Sequence, residues 1–239
     1  MIKGVFFDLG GTLLSYRHMN NATMEVIAGA AEKMGSSLSI EKLKHNYNKA
    51  TKDTTRLYSE KHFFLHKNFF NDIFSQFVEN INVTQTKEVS EWFEKNHTEK
   101  IIDALSVKED CVKVLKKLKN NGFYISVVSN IDENMLQPLI AKENINDYLD
   151  HALSSEIAKS CKPDKAIFQQ ALEISGLHAN EILFVGDSPE HDIKGANEMG
   201  FRSALIRDGN LPPPLQTKKF KQTANYQINS LTELLEVLV

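Results

Sequence analysis

Val5-Phe6-Phe7-Asp8-Leu9-Gly10-Gly11-Thr12 is the stretch that decides the fold of this chain. Its apolar beginning is typical of a short, buried strand. Asp8 follows that strand directly, on a turn where Gly10 and Gly11 carry no side-chain bulk. A carboxylate in this place can act as a nucleophile or as a metal ligand, and the two glycines allow a phosphate group to approach the backbone.

Two kinds of periodicity divide the rest of the chain. Residues 16–101 show helical periodicity, with Phe70, Ile73, Phe74 and Phe77 on one helical face. From residue 106 onward, short apolar runs alternate with helical segments, which is typical of a parallel sheet with helices on both faces. We therefore predict an α/β fold: a Rossmann-like three-layer α/β/α core from residues 1–16 and 103–239, with an inserted α-helical domain at 17–102.

Local signals predict where several elements begin. Ser106 and Glu109 have capping-box spacing and predict a helix with Val112, Leu115 and Leu118 facing inward. Ser230 and Glu233 repeat that spacing before a final helix, and the prolines at 212–214 predict a rigid connector. In the insertion, one helix face is predicted from five apolar residues: Ile40, Leu43, Tyr47, Ala50 and Leu57.

Composition excludes several functional classes. The 239 residues are 41% apolar and 25% charged, which is ordinary for a globular protein, and the net charge of −3 argues against a nucleic-acid partner. No apolar stretch approaches the ~20 residues of a membrane span, and the start of the chain lacks the pattern of a signal peptide. Cys111 and Cys161 lie far apart, which suits a reducing compartment. We expect a cytoplasmic monomer or homodimer without membrane or nucleic-acid partners.

Polar residues follow several of the predicted strands at the point where each strand ends. Ligands of open parallel sheets bind at these carboxyl ends. One such end proves little, but several ends that carry acids, a hydroxyl and a lysine predict a charged site. The residues concerned are Asp8, Ser129, Asn130, Lys162, Asp187 and Asp192.

These residues resemble the four motifs of the haloacid dehalogenase (HAD) superfamily of phosphoryl-transfer hydrolases. The motifs occur in the family's order at 8–13, at Ser129-Asn130, at Lys162-Pro163 and at 186–192. The helical insertion is similar to that family's all-helical cap. Each motif alone is a weak signal, whereas the ordered set on the right elements is a strong one.

The resemblance implies a mechanism for a small phosphorylated substrate. Asp8 would attack phosphorus to form an aspartyl-phosphate, while Mg²⁺ and Lys162 offset the repulsion between two anions. The implied catalytic residues are Asp8, Lys162 and Ser129. The implied phosphate-binding residues are Gly11, Thr12, Ser129, Asn130 and Lys162. The implied metal ligands are Asp8, the carbonyl of Gly10, Asp187 and, directly or through water, Asp192.

Gly10 departs from the family pattern. Phosphatases of this family usually carry an aspartate there, which protonates the leaving oxygen and later activates water. Such an acid or base contributes about 10²–10⁴-fold in rate. Since Gly10 has no side chain for this task, the sequence allows a slow phosphatase that favours good leaving groups, or a proton donor from the cap such as His18.

Other functions stay open at this point. The dehalogenases of the family carry an aromatic residue at this position and lack the Mg²⁺-type last motif that this chain has. The phosphonate-cleaving branch carries a small residue there and uses a cap lysine, for which Lys33, Lys42, Lys49 and Lys52 are candidates. A protein that binds phosphorylated ligands with little turnover is a further alternative. The segment 8–12 also looks like the phosphate loop of actin-like sugar kinases, but there a β-hairpin would follow instead of a helical stretch.

Overall fold

The structure is a computed structural model that describes residues 1–207 and 223–238. The chain splits into two compact units, which are Met1–Tyr16 with Ser106–Val239, and Arg17–Leu105. We call the first the α/β unit and the second the helical unit. The connector predicted at 212–214 lies outside the described residues. In the described ranges, none of the helices combines the length and apolar character needed to cross a membrane.

Strands and helices are numbered along the chain as the described ranges have them. The strands are β1 (Gly4–Phe7), β2 (Leu14–Ser15), β3 (Ser106–Val107), β4 (Tyr124–Ser129), β5 (His151–Ser154), β6 (Ile182–Gly186), β7 (Arg202–Ile206) and β8 (Tyr226–Ile228). The α-helices are α1 (Met19–Lys33), α2 (Ile40–Tyr58), α3 (His66–Asn80), α4 (Lys87–Ala104), α5 (Cys111–Asn120), α6 (Glu133–Lys142), α7 (Ser155–Ala158), α8 (Lys165–Ser175), α9 (Lys194–Glu198) and α10 (Leu234–Val237). A π-helical turn, Pro189–Ile193, precedes α9.

Six strands of the α/β unit form one parallel sheet in the order β5-β4-β1-β6-β7-β8. The first strand of the chain therefore lies in the middle, between β4 and β6. This confirms the predicted α/β class and its parallel sheet. The edge strand β8 was not predicted from the sequence, since it is only three residues long.

Both faces of the central strand are buried. Val5, Phe6 and Phe7 have no exposed surface, and successive side chains of a strand point to opposite faces. On one face, Phe6 belongs to a cluster with residues of α8 and α9, in which the rings of Phe6 and Phe201 meet edge-on at 5.9 Å. Burial on both faces explains the uninterrupted apolar run before Asp8 and confirms the layered core.

The turn after β1 is fastened to neighbouring elements. The backbone N–H of Asp8 donates to the carbonyl of Val185 at 2.9 Å, which extends the pairing of β1 with β6 by one residue. Gly11 has φ +72°, in the left-handed region that favours glycine. Beyond it, Leu14 of β2 pairs antiparallel with Val107 of β3. The segment that follows Asp8 is therefore held on both sides.

The prediction that a helix begins at Ser106 was wrong. Ser106–Val107 is strand β3, and α5 begins only at Cys111, with Val112 on its exposed side. The capping-box spacing was overridden because this backbone pairs with β2 and the N–H of Val107 donates to the Glu143 carboxylate at 3.0 Å.

Two further expectations on helix ends and faces were wrong. The final helix spans only Leu234–Val237, although the Ser230 hydroxyl does accept from the Glu233 N–H at 3.3 Å. In α2, Ile40 and Leu57 are exposed, because they lie off the buried face, which consists of Leu43, Tyr47, Ala50, Thr54 and Tyr58. The domain boundary at residue 103 stays a prediction; α4 continues to Ala104.

Aromatic packing stabilises the helical unit. The rings of Phe74 on α3 and Phe93 on α4 stack with centroids 4.0 Å apart and planes within 6° of parallel, and both residues are buried. Next to Phe93 on α4 lies Trp92, the single tryptophan of the chain. Trp92 fluorescence therefore reports on the helical unit.

We predict that Phe93→Ala lowers the free energy of unfolding of the helical unit by about 3–5 kcal/mol, because it leaves a cavity beside Phe74. Urea unfolding followed by Trp92 emission measures the change. The control is Leu57→Ala on α2, whose side chain is exposed and whose effect should stay within about 0.5 kcal/mol. Equal losses for the two variants would contradict the packing argument.

Candidate active site

Three of the predicted site residues lie at the carboxyl ends of three neighbouring strands. β4, β1 and β6 lie side by side and run in the same direction, so their carboxyl ends meet at one edge of the sheet. Asp8 follows β1, Ser129 is the last residue of β4, and Asp187 follows β6. The convergence predicted from the sequence is therefore present in the α/β unit.

Asp8 is nearly enclosed and has two donors on the same oxygen. Its Oδ1 accepts from the Ser129 hydroxyl at 3.0 Å and from the Lys162 ammonium at 2.6 Å. Burial raises the pKa of the Asp8 carboxyl; the ammonium of Lys162 opposes that shift, and the charge of Asp192 adds to it. The two donors orient the carboxylate as a nucleophile needs.

Lys162 joins two carboxylates at the centre of the site. Its ammonium lies 2.6 Å from Asp8 Oδ1 and 2.6 Å from Asp192 Oδ1, and the residue is only 3% exposed. Burial by itself lowers the pKa of Lys162, but the charges of Asp192 and Asp8 outweigh it and hold that pKa above its ordinary value. The lysine is thus kept charged.

Asn130 holds the backbone of Lys162. The asparagine Nδ2 donates to the Lys162 carbonyl at 3.0 Å, and its Oδ1 accepts from the Lys162 N–H at 2.7 Å. The ring Nδ1 of His191 also lies 3.1 Å from the same carbonyl. The sequence predicted Asn130 as a phosphate-binding residue, whereas its contacts here position Lys162.

Asp192 is the most fully enclosed acid of the site, with 1% exposure. Its Oδ1 accepts from Lys162, and its Oδ2 accepts from the Ser188 N–H at 2.9 Å. The Ser188 hydroxyl caps the π-helical turn by accepting from the His191 N–H at 3.0 Å. Both oxygens of Asp192 thus have partners, and the carboxylate orients the Lys162 ammonium.

Asp187 completes a cluster of three acids. Oxygen atoms of Asp8, Asp187 and Asp192 all lie within 4.8 Å of one another. Burial raises the pKa of Asp187 well above its ordinary value, and the charges of Asp8 and Asp192 raise it further. When ionised, the three carboxylates carry three negative charges, and the ammonium of Lys162 in contact with Asp8 and Asp192 offsets one of them. A divalent cation with a preference for oxygen ligands fits this donor set.

Thr12 carries a polar atom without a partner. The residue has no exposed surface, and no hydrogen-bond partner of its Oγ1 is found among the described residues. A buried hydroxyl left in this state costs about 1–3 kcal/mol. This observation fits the predicted role of Thr12 as a donor to a phosphoryl oxygen.

Sequence reasoning missed two residues next to the turn. The Lys108 ammonium donates to the Gly11 carbonyl at 2.6 Å, and its charge also lowers the pKa of Asp187, as a lesser influence than burial. Tyr16 lies against Gly10, with its Cζ 2.9 Å from where a Cβ on Gly10 would be. Neither residue belongs to a motif, so only the pairing of β2 with β3 could have indicated them.

The cap residues considered from the sequence belong to the helical unit. His18, Lys33, Lys42, Lys49 and Lys52 are all exposed, so burial singles out none of them as an activated amine or a shielded acid. Lys33 lies over the ring of Trp92, 5.0 Å from its centroid. Their functional roles stay predictions.

The chain is similar to known hydrolases. A family model described as haloacid dehalogenase-like hydrolase matches residues 2–200. (S)-2-haloacid dehalogenase 4A from Burkholderia cepacia is 36% identical over 135 residues, which are 56% of this chain and 56% of that protein. Glyceraldehyde 3-phosphate phosphatase from Methanocaldococcus jannaschii is 27% identical over 240 residues, which cover 100% of this chain and 97% of that protein. The chain spans about half the length of several curated relatives that it matches, the Burkholderia cepacia dehalogenase among them.

Solved structures show the same fold. The putative HAD-hydrolase YfnB from Bacillus subtilis, solved bound to magnesium, superposes with a TM-score of 0.78 at 19% identity, over 99% of this chain and 98% of that one. A HAD phosphatase from Thermococcus onnurineus gives a TM-score of 0.70 at 21% identity, over 99% and 98% of the two chains. Because the family model matches most of its length, the chain belongs to the haloacid dehalogenase-like hydrolases.

Proposed function

We propose that the protein is a Mg²⁺-dependent phosphatase that hydrolyses a small phosphorylated metabolite through an aspartyl-phosphate on Asp8. The observation that carries this proposal is the placement of Asp8 against Lys162, with Asp187 and Asp192 within 4.8 Å. Phosphoryl transfer needs a nucleophile whose repulsion from the phosphate dianion is offset by nearby positive charge. The site supplies one such charge itself and has the donors to hold a second.

The donor set supports Mg²⁺ as the cofactor. Asp8 and Asp187 would hold the ion, together with the backbone carbonyl that Gly10 retains. Asp192 would act indirectly, since both of its oxygens already accept hydrogen bonds from Lys162 and Ser188. When bound, Mg²⁺ neutralises charge on the phosphoryl group and its nucleophile. A family member solved with magnesium adds support.

The protein's own groups account for the phosphoryl side. The ammonium of Lys162 offsets charge on the phosphoryl oxygens, and the hydroxyl of Ser129 holds Asp8 in line. The buried hydroxyl of Thr12 donates to a phosphoryl oxygen, as do backbone N–H groups of the turn at Gly11. Asp8 attacks phosphorus, the leaving oxygen departs, and water then cleaves the phosphorus–oxygen bond to Asp8.

Dehalogenation is the second candidate, because several curated relatives are (S)-2-haloacid dehalogenases. In that reaction Asp8 would attack the carbon that bears the halogen, and no cation is needed. However, a haloacid carries a carboxylate, and the charges of Asp187 and Asp192 beside Asp8 repel an anion unless a cation is present. The charge of the cluster therefore favours the phosphatase.

We predict that phosphatase activity toward p-nitrophenyl phosphate and small sugar phosphates is lost on treatment with EDTA and returns with Mg²⁺. Phosphate release measures the reaction, and a parallel assay of halide release from 2-chloropropionate in EDTA tests the second candidate. Halide release without a metal would replace the proposed function. Binding of phosphorylated ligands in thermal-shift assays without turnover of any of them would favour a regulatory protein.

We predict that Asp187→Asn weakens Mg²⁺ binding by at least about tenfold, since it removes one anionic oxygen ligand from the cluster. Isothermal titration calorimetry with Mg²⁺ alone measures the affinity without any need for activity. Asp147→Asn is the matched control, because Asp147 is an exposed acid that belongs to none of the four motifs. Unchanged affinity in Asp187→Asn would contradict the proposed metal site.

We predict that Asp8→Asn abolishes turnover, by at least about 10³-fold, because an amide is a poor nucleophile. Phosphate release and mass spectrometry of the denatured protein after mixing with substrate measure turnover and the covalent phosphate on Asp8. Asp147→Asn again serves as the control. If Asp8→Asn keeps substantial activity while folded by circular dichroism, the covalent route is wrong.

A further inference from the structure

The proposed phosphatase lacks a group in its family's usual place for protonating the leaving oxygen. Gly10 is two residues after the nucleophile and has no side chain. An alkoxide leaving group needs a proton as its bond to phosphorus breaks, and a positioned acid contributes about 10²–10⁴-fold. Whatever fills the space beside Gly10 is therefore the candidate for this role.

The side chain of Tyr16 fills that space. The Tyr16 Cζ is 2.9 Å, and its Cε1 3.0 Å, from where a Cβ on Gly10 would be, and the hydroxyl oxygen is nearer still. The carboxylate oxygens of an aspartate are two bonds from their own Cβ, so the phenol oxygen lies comparably close to that point. A side chain at position 10 and the present placement of Tyr16 exclude each other.

The ring also covers the next residue of the turn. A Cβ on Gly11 would lie 2.7 Å from the Tyr16 Cε2, and the Asp187 carboxylate comes closer to the same point. Tyr16 therefore lies on the same side of the glycine turn as one of the acids of the site. The ring of Tyr16 is therefore near Asp187, while its hydroxyl is next to Gly10.

Backbone pairing fixes the position of Tyr16. It follows β2 directly, and β2 pairs with β3 through Leu14 and Val107. The Lys108 N–H donates to the Leu13 carbonyl at 2.9 Å, while its ammonium donates to the Gly11 carbonyl at 2.6 Å. Two separate bonds from Lys108 thus tie the turn to the end of β3, the strand that pairs with β2.

We propose that Tyr16 is the catalytic residue that transfers the proton in place of the missing acid, an inference that rests on the proposed phosphatase function. Asp8 attacks phosphorus, the bond from phosphorus to the leaving oxygen breaks, and that oxygen takes the phenol proton. Water then attacks the aspartyl-phosphate and gives its proton to the Tyr16 phenolate. The bond between phosphorus and Asp8 breaks, which releases inorganic phosphate and restores both side chains.

The dependence on the leaving group tests this assignment. Tyr16→Phe keeps the ring but removes the proton. We compare kcat/KM, because it reports the transfer of the phosphoryl group to Asp8 and not the later hydrolysis that both substrates share. We expect kcat/KM with an alkyl phosphate such as glycerol phosphate to fall about 10²-fold or more. With p-nitrophenyl phosphate, whose leaving group needs no proton, kcat/KM should change less than about threefold. An equal fall for both substrates would mean a structural role, and no fall with the alkyl phosphate would mean that another group donates; either result overturns the proposal.

A second variant tests the same point from the other side of the contact. Gly10→Ala keeps Tyr16 but adds a Cβ that collides with its hydroxyl. The tyrosine must then move, so the variant should show the same selective loss of activity with the alkyl phosphate. The double variant should lose no more than either single one. Tyr226→Phe on the edge strand β8 is the matched control and should leave both rates unchanged. Additive losses in the double variant would overturn the proposal.

These outcomes distinguish failure of the proposed phosphatase function from failure of the role assigned to Tyr16. If the wild-type protein with Mg²⁺ hydrolyses neither phosphate, the proposed function fails and the role of Tyr16 fails with it. If it hydrolyses both and Tyr16→Phe is not selective, the phosphatase stands and the assignment of Tyr16 alone is wrong.

Discussion

The buried contact of Lys162 with Asp8 and Asp192 is the constraint on which the rest of the site depends. Removing charged groups from water costs several kcal/mol for each, and close, well-oriented partners are needed to offset that cost. Much of the surrounding structure serves this end, since Asn130 holds the Lys162 backbone and the Ser188 N–H holds the second oxygen of Asp192. Loss of the lysine would leave two buried carboxylates uncompensated. The same charges that perform the proposed chemistry therefore require the fold around them to be rigid.

The parallel sheet makes this contact possible. Asp8 and Lys162 are far apart in the chain, yet the placement of β1 between β4 and β6 puts the nucleophile beside Ser129 on one side and Asp187 on the other. The turn can pass this close to Asp187 only because Gly11 has no Cβ and adopts a positive φ. Sheet order thus sets which groups meet, and the glycine turn sets how near they come.

The sequence predicted the parts of this arrangement that local patterns encode. Apolar runs located β1, β4 and β6, and strand ends in a parallel sheet meet, so Asp8, Ser129 and Asp187 could be placed together from the sequence alone. The failures share a physical cause. The spacing of Ser106 and Glu109 favours a helix locally, but pairing with β2 outweighs a cap of about 1 kcal/mol. Lys108 was missed for the same reason, since its role exists only once β2 and β3 pair.

Gly10 shows that a sequence motif alone does not identify which side chain occupies the space beside a substituted residue. A glycine in place of a catalytic acid indicates a weak enzyme only if the space it leaves stays empty. Here the space beside Gly10 holds the hydroxyl of Tyr16, which comes from a residue six positions later and outside every motif. A side chain at residue 10 would collide with Tyr16 in its present position. Gly10 therefore removes the usual acid, and it also makes room for the tyrosine. Gly10 and Tyr16 therefore have to be interpreted together, because the absence of a side chain at residue 10 is what allows the Tyr16 phenol to lie there.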